Sequence, residues 1–349
     1  MPAPARRPIR WGILGTGVIA AKFATDLARV PDAELHAVGS RRGEAADAFA
    51  ERFRIPARHT GYRALVEDPA VDVVYVALPH PAHHAWALAA LEAGRAVLCE
   101  KPFTVTAAEA RELVASARGH GRFLMEAMWT RFLPGMARVR EILDSGILGE
   151  VRTVHADLGI RMHPDPESRL FAPGLGGGAL LDLGVYPVSF ASFVLGTPQS
   201  VTAVATPTAT AVDAQTSVIL RYASGAQAVL NTTLEVDTPG GAVVAGSRGR
   251  LELSGPLFDP SSVRLVRGTN PGAEVVEEIR ASDPGHGWNH EAVEVGRCLR
   301  AGLLESPTMP LDESVAIMET LDEIRRQTGL RYPFETRGTE RPGAARRVG

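Results

Sequence analysis

The sequence predicts an α/β Rossmann domain, a doubly wound parallel sheet, joined to an α+β domain with a large, open, mainly antiparallel sheet. Three observations predict this. In the first third, short apolar runs alternate with segments of helical spacing, as in a parallel sheet with crossover helices. A glycine turn, Gly15 to Ala20, links the first of those runs to the first helical segment. After Gly149 the pattern becomes a series of alternating strands with few helices between them, the habit of antiparallel pairing.

The chain has 349 residues, 45% of them hydrophobic and 22% charged, which is long enough for two domains. They are expected at 1–128, the dinucleotide-binding domain, and at 129–335, the substrate and oligomerisation domain, with the last helices packing back on the first. Residues 336–349, rich in glycine and arginine, read as a disordered tail. A formal net charge of -3 gives no electrostatic case for nucleic acid or an anionic membrane. Cys99 and Cys298 lie far apart and flank no metal-spacing motif, so neither a disulfide framework nor a zinc site is expected and a cytoplasmic setting is the default. Met1 to Arg10 has no apolar core of a secretory signal. No apolar run is read as approaching the ~20 residues of a membrane-spanning helix.

Along the first half, Ile9 to Leu14 is a strand, followed by Gly15-Thr16-Gly17-Val18-Ile19-Ala20 and a helical pattern through Phe23, Leu27 and Val30. This is G-x-G-x-x-A in a strand–turn–helix setting: Gly15 permits the turn, Gly17 lets backbone N–H groups approach a pyrophosphate, and Ala20 allows close packing. The next strand, Leu35 to Gly39, ends in Ser40-Arg41-Arg42, where an NAD-binding fold carries an acidic residue. A hydroxyl and guanidinium groups there suit a 2′-phosphate, so NADP is favoured over NAD; the alternative for Arg42 is a solvated helix start. Val71 to Leu78 is an apolar strand ending in Pro79-His80-Pro81-Ala82-His83-His84. Without a nearby carboxylate or thiolate, these histidines do not read as a metal site. His80 and His83 are assigned to border the nicotinamide or cap the following helix.

Ala96 to Glu100 is a buried parallel strand that delivers Lys101 to its carboxyl end, where open α/β sheets bind ligands. Pro102 keeps Lys101 extended there. The alternative is a surface lysine paired with Glu100. After Arg122 to Glu126, the stretch through Trp129-Thr130-Arg131 leaves the last parallel strand, where the two halves should meet. An indole and a guanidinium at such a junction suit a polyol, and the competing reading is interdomain packing.

In the second half, strands are expected at Val151 to Leu158, Ser200 to Ala205, Thr216 to Tyr222, Ala226 to Leu234 and Ala242 to Ala245. An open sheet of this kind needs its second face covered, so a homodimer or higher homo-oligomer is expected. Gly176-Gly177-Gly178 leads into a buried helix; if that helix begins near Asp182, Asp182 and Tyr186 share one face at i, i+4. Tyr186 alone reads as core. Beside Lys101 it becomes a usable proton shuttle, because a neighbouring ammonium lowers a phenol's pKa. Helices follow at Ala292 to Leu299 and Leu311 to Ile324.

Together, Gly15 to Ala20, Glu100-Lys101-Pro102 and Gly176 to Tyr186 resemble, in that order, the motifs of the glucose-fructose oxidoreductase and inositol dehydrogenase family. Glu126 to Pro134 and the Gly176 to Tyr186 segment are similar to its dimeric dihydrodiol dehydrogenase branch, also described as NADP-dependent D-xylose dehydrogenases. The resemblance implies NADP and hydride transfer at a sugar or diol carbon. It implies a catalytic set of Lys101, Tyr186 and Asp182, and substrate contacts from Trp129, Arg131, Lys101 and Tyr186. Cofactor contacts would come from Gly15, Thr16, Gly17, Val18, Ile19, Ser40, Arg41, Arg42, Leu78, His80, His83, Glu100 and Lys101, with no metal. A keto-sugar or dicarbonyl reductase of the same family, or a non-catalytic dinucleotide or sugar sensor, are the alternatives.

Overall fold

The computed structural model describes residues 7–268, 271–280 and 285–335. The expected tail at 336–349 lies outside the described residues. The first sheet is built from β1 (Ile9–Leu14), β2 (Ala33–Ser40), β3 (Ala57–Thr60), β4 (Val73–Val76), β5 (Ala96–Glu100) and β6 (Leu124–Ala127). Helices α1 (Val18–Leu27), α2 (Gly43–Phe53), α3 (Tyr62–Val66), α4 (His83–Glu92) and α5 (Ala107–His120) connect them. The order is β3-β2-β1-β4-β5-β6 and every pair is parallel. The strand order reverses between β1 and β4, so their carboxyl-end loops flank the crevice such sheets use for ligands. The continuous apolarity of β4 and β5 follows from helices covering both faces: all nine of their residues are buried.

After α6 (Pro134–Asp144), the second sheet contains β7 (Val151–Gly159), β8 (Ser200–Pro207), β9 (Asp213–Arg221), β10 (Gln227–Thr233), β11 (Ala242–Gly246), β12 (Gly249–Leu253), β13 (Ser262–Arg267) and β14 (Glu274–Arg280). Its order is β14-β13-β12-β11-β7-β10-β9-β8. The pairing is antiparallel except at the centre, where β10 runs parallel to β7. One face is inward and one outward: in β9, Thr216, Val218 and Leu220 are buried while Ser217, Ile219 and Arg221 are exposed.

The inward face is covered by α7 (Val185–Leu195), which contacts β7 and β10. The helical stretch Pro173–Leu195 that contains α7 is, against expectation, long and apolar enough to cross a membrane by length and composition. The protein's own interior accounts for that apolarity, since 83% of its most apolar window is buried. The last helices, α8 (Trp288–Arg300) and α9 (Leu311–Thr328), return to the first sheet's layer, α8 against α1 and α9 against α5. The joint is polar and specific: the fully buried Asp26 of α1 accepts the backbone N–H groups of His286 and Trp288 at 2.9 and 3.0 Å, capping α8. Arg325 of α9 donates to the Val105 carbonyl at 2.9 Å.

Candidate active site

The mouth of β5 carries the charged centre of the site. Lys101 Nζ donates to the Asp182 carbonyl at 2.8 Å and stands 3.4 Å from its Oδ1. Arg169, from the loop after β7, pairs with the same carboxylate at 2.8 Å. His80 Nε2 lies 3.9 Å from Oδ1, while Nδ1 donates to the Gly176 carbonyl at 3.0 Å, which assigns the ring proton to Nδ1. Burial opposes the Asp182 charge, but Lys101 and Arg169 together hold its pKa well below the ordinary carboxylate range. Burial drives His80 down to about 3, so the imidazole is neutral at physiological pH. Burial also opposes the Lys101 charge, yet Asp182, Tyr186 and Glu100 outweigh it and the ammonium persists.

Asp182 and Tyr186 do not share one α-helical face. Leu180–Gly184 forms one π-helical turn before α7 begins at Val185, so Asp182 lies in that turn and Tyr186 in the α-helix, and the two meet at Lys101. Asp182 faces Lys101 and Arg169. The Tyr186 hydroxyl accepts from Trp129 Nε1 at 3.1 Å, and Lys101 Nζ sits over the Tyr186 ring, 4.8 Å from its centroid. The lowered phenol pKa expected from Lys101 is also corrected. Burial pushes Tyr186 above its ordinary value, and the downward pull of Lys101 does not overcome it.

An aromatic wall stands beside Tyr186. Trp129 stacks on Trp288 with centroids 4.4 Å apart, and Phe258 lies 5.6 Å from Tyr186 and 6.1 Å from Trp129. Trp288 and Phe258 were not singled out from the sequence. Their signal was composition, since only four tryptophans occur and two of them stack here. Arg169 was missed because its loop has no periodicity to read.

Three expected contacts are corrected. Arg131 is buried with its polar groups engaged by the fold: its guanidinium pairs with Glu313 at 2.7 Å and donates to the Ser189 carbonyl at 2.8 Å. A buried arginine needs a carboxylate, and this one ties α7 to α9. His83 is fully buried between the Pro102 and Leu78 carbonyls, at 2.9 and 2.7 Å, and staples the two loops instead of bordering a ligand. Glu100 turns inward to the Tyr75 hydroxyl and the Lys101 N–H, supporting the Lys101 turn.

The groove above β1 fits a dinucleotide phosphate. Gly15 has φ of +108°, and a Cβ there would overlap the Ala77 carbonyl oxygen. A Cβ on Gly17 would meet open space, and α1 begins just after this residue with no side-chain cap and no acidic residue in its first turn. Its first N–H groups are therefore available to an anion. Thr16 and Ile19 are half-buried at the rim, Val18 is 74% exposed, and Leu78 closes the floor across the switch point. At the end of β2, Ser40 is buried while Arg41 and Arg42 are exposed.

Comparison with known proteins agrees with this architecture. Residues 9–128 match the GFO/IDH/MocA oxidoreductase family model with its NAD-binding Rossmann fold, and residues 136–252 match the GFO/IDH/MocA C-terminal domain. Trans-1,2-dihydrobenzene-1,2-diol dehydrogenase of Mus musculus is 39% identical over 337 residues, covering 94% of this chain and 99% of that one. A 3-ketoreductase from Actinomadura kijaniata, solved with TDP-benzene and NADP, superposes with a TM-score of 0.80 at 30% identity, over 92% of this chain and 98% of its own. An aldose-aldose oxidoreductase from Caulobacter crescentus superposes with a TM-score of 0.83 at 25% identity, over 93% and 98% of the two chains. With two sheets of this topology, a phosphate-binding turn on β1 and a lysine at the mouth of β5, the chain belongs to the GFO/IDH/MocA family of oxidoreductases and is an NAD(P)-dependent dehydrogenase acting on CH–OH groups.

Proposed function

We propose that the protein is an NADP-dependent dehydrogenase acting on a hydroxyl-bearing carbon of a sugar, such as C1 of D-xylose, or of a trans-dihydrodiol. The observation that carries this reading is the convergence of the Lys101 ammonium and the Tyr186 phenol beside the aromatic wall. A bound nicotinamide supplies the acceptor for hydride in alcohol oxidation and the donor in the reverse direction. Lys101 holds the reacting oxygen and stabilises negative charge on it. Tyr186 exchanges the proton with that oxygen, and the Trp129 N–H fixes the phenol's orientation. Asp182 anchors Lys101, and Trp129 forms an apolar wall for the substrate.

Ser40, Arg41 and Arg42 at the end of β2 support the preference for NADP, as does the A. kijaniata relative solved with it. A second reading, reduction of a keto-sugar or dicarbonyl, is supported by the A. kijaniata relative, a 3-ketoreductase. A phenol that keeps its proton is ready to deliver it to a carbonyl oxygen. On this reading the domains divide at 128/129. The outward face of the second sheet meets a second copy of the chain, and the two unpaired, buried cysteines suit a reducing cytoplasm.

The test is nicotinamide turnover by purified protein, NADP against NAD, over aldoses, cyclitols and a trans-dihydrodiol, and in reverse over keto-sugars and dicarbonyls. NADP-dependent oxidation of pentoses or the diol is expected. Turnover only in the reducing direction selects the second reading, and none in either direction overturns both in favour of a sensor.

A further inference from the structure

The charged centre contains one more cation than the motifs mark. Arg169 is held in place by its backbone: Gly178 N–H donates to the Leu170 carbonyl at 2.8 Å, and a Cβ on Gly177 would press on the Arg169 and Leu170 carbonyls. Its guanidinium is half exposed, whereas Asp182 and Lys101 behind it are 7% and 14% exposed. Both cations claim the same oxygen, Asp182 Oδ1, Arg169 at 2.8 Å and Lys101 at 3.4 Å. The shorter contact belongs to Arg169. Two cations share one carboxylate, and the neutral His80 beside it adds no charge, so Asp182 alone does not balance both. Removing the guanidinium would let Asp182 neutralise Lys101 completely.

We propose that Arg169 is a positioning residue that draws on Asp182 so that the Lys101 ammonium is only partly compensated by it and keeps positive charge for the oxygen of the reacting carbon. The inference rests on the role of Lys101 proposed above. The other groups facing Lys101 are Glu100 on its own strand, Tyr186 on α7, and His80 and His83 from the loop and helix after β4. None of them lies outside Asp182 as Arg169 does.

The whole chain contains two lysines, Lys22 and Lys101, so Lys101 can be read against an internal standard. Lys22 lies on α1 with its Nζ over the Trp288 ring. In trace acetylation of the unliganded full chain with acetic anhydride at alkaline pH, Arg169→Met should lower the Lys101-to-Lys22 ratio several-fold, because the better-paired ammonium keeps its proton. A guanidinium that only shields the lysine predicts the opposite, a raised ratio. A raised or unchanged ratio overturns the proposal. In turnover, Arg169→Met should lower kcat by roughly tenfold to a hundredfold with KM little changed, and Arg169→Lys should recover most of it. An unchanged kcat with raised KM, or a Lys variant no better than Met, also overturns it. If the native protein turns over nothing, the functional reading fails, while the acetylation ratio still decides whether Arg169 shares Asp182.

Discussion

Lys101 is the residue on which the chemistry converges, because the ammonium contacts both Asp182 and the Tyr186 ring. Lys101→Ala should lower kcat by about 10²- to 10⁴-fold while NADP affinity, measured by fluorescence titration, changes little. Near-native turnover would remove Lys101 from the reaction. Arg41 stands apart from that chemistry, exposed at the end of β2. Arg41→Asp should weaken NADP by roughly tenfold or more and leave NAD binding nearly unchanged, since only NADP carries the 2′-phosphate. Glu126 makes a different contribution. Its carboxylate accepts the Phe103 N–H at 3.1 Å, and burial pushes it up to about 7. The folded chain therefore binds this proton more tightly than the unfolded chain does. That contribution to stability is complete below the ordinary carboxyl value and is lost as pH rises through about 7. Glu126→Gln should gain about 3 kcal/mol over the native protein at about pH 8 and under about 1 kcal/mol at about pH 5, by denaturant unfolding.

Among the elements, α8 decides how the aromatic wall is held. Its first residue, Trp288, stacks on Trp129, and its N-terminus is capped across the joint by Asp26. Asp26→Ala leaves buried N–H groups without an acceptor, which should cost about 1–3 kcal/mol and lower the thermal midpoint. Tryptophan fluorescence should shift with it. Long elements with strong periodicity were legible in the sequence, α9 among them, and so were the continuous apolar runs of β4 and β5. β3, with the sequence Ala-Arg-His-Thr, and β14, with three glutamates in seven residues, were not. Both are edge strands at the ends of their sheets, where little apolar surface is buried and little pattern is written. The π-helical turn at Leu180–Gly184 was equally invisible, because its apolar residues are compatible with an α-helix.

At the scale of the molecule, the outward face of the second sheet remains to be covered. Ile219 and Val229 are cross-strand neighbours on it, 43% and 39% exposed, and Val204 adds a third apolar side chain, 68% exposed, beside them. If two copies meet on this face, light scattering should give a homodimer at micromolar concentration, and Val229→Glu should return monomers. A native monomer would overturn the assembly.

The sequence by itself determined the Rossmann half, because a parallel strand covered on both faces must be apolar throughout and a phosphate turn must have glycine where a Cβ has no room, as at Gly15. It also determined which side chain stands at the mouth of β5. Only the tertiary structure decided that Arg131 ties α7 to α9, that His83 staples two loops, and that Arg169 shares Asp182 with Lys101. The physical reason is common to all three. Whether a charged or polar group serves a ligand or the fold depends on which partner reaches it across the chain. Arg131 lies 182 residues from Glu313, and no local spacing records that distance.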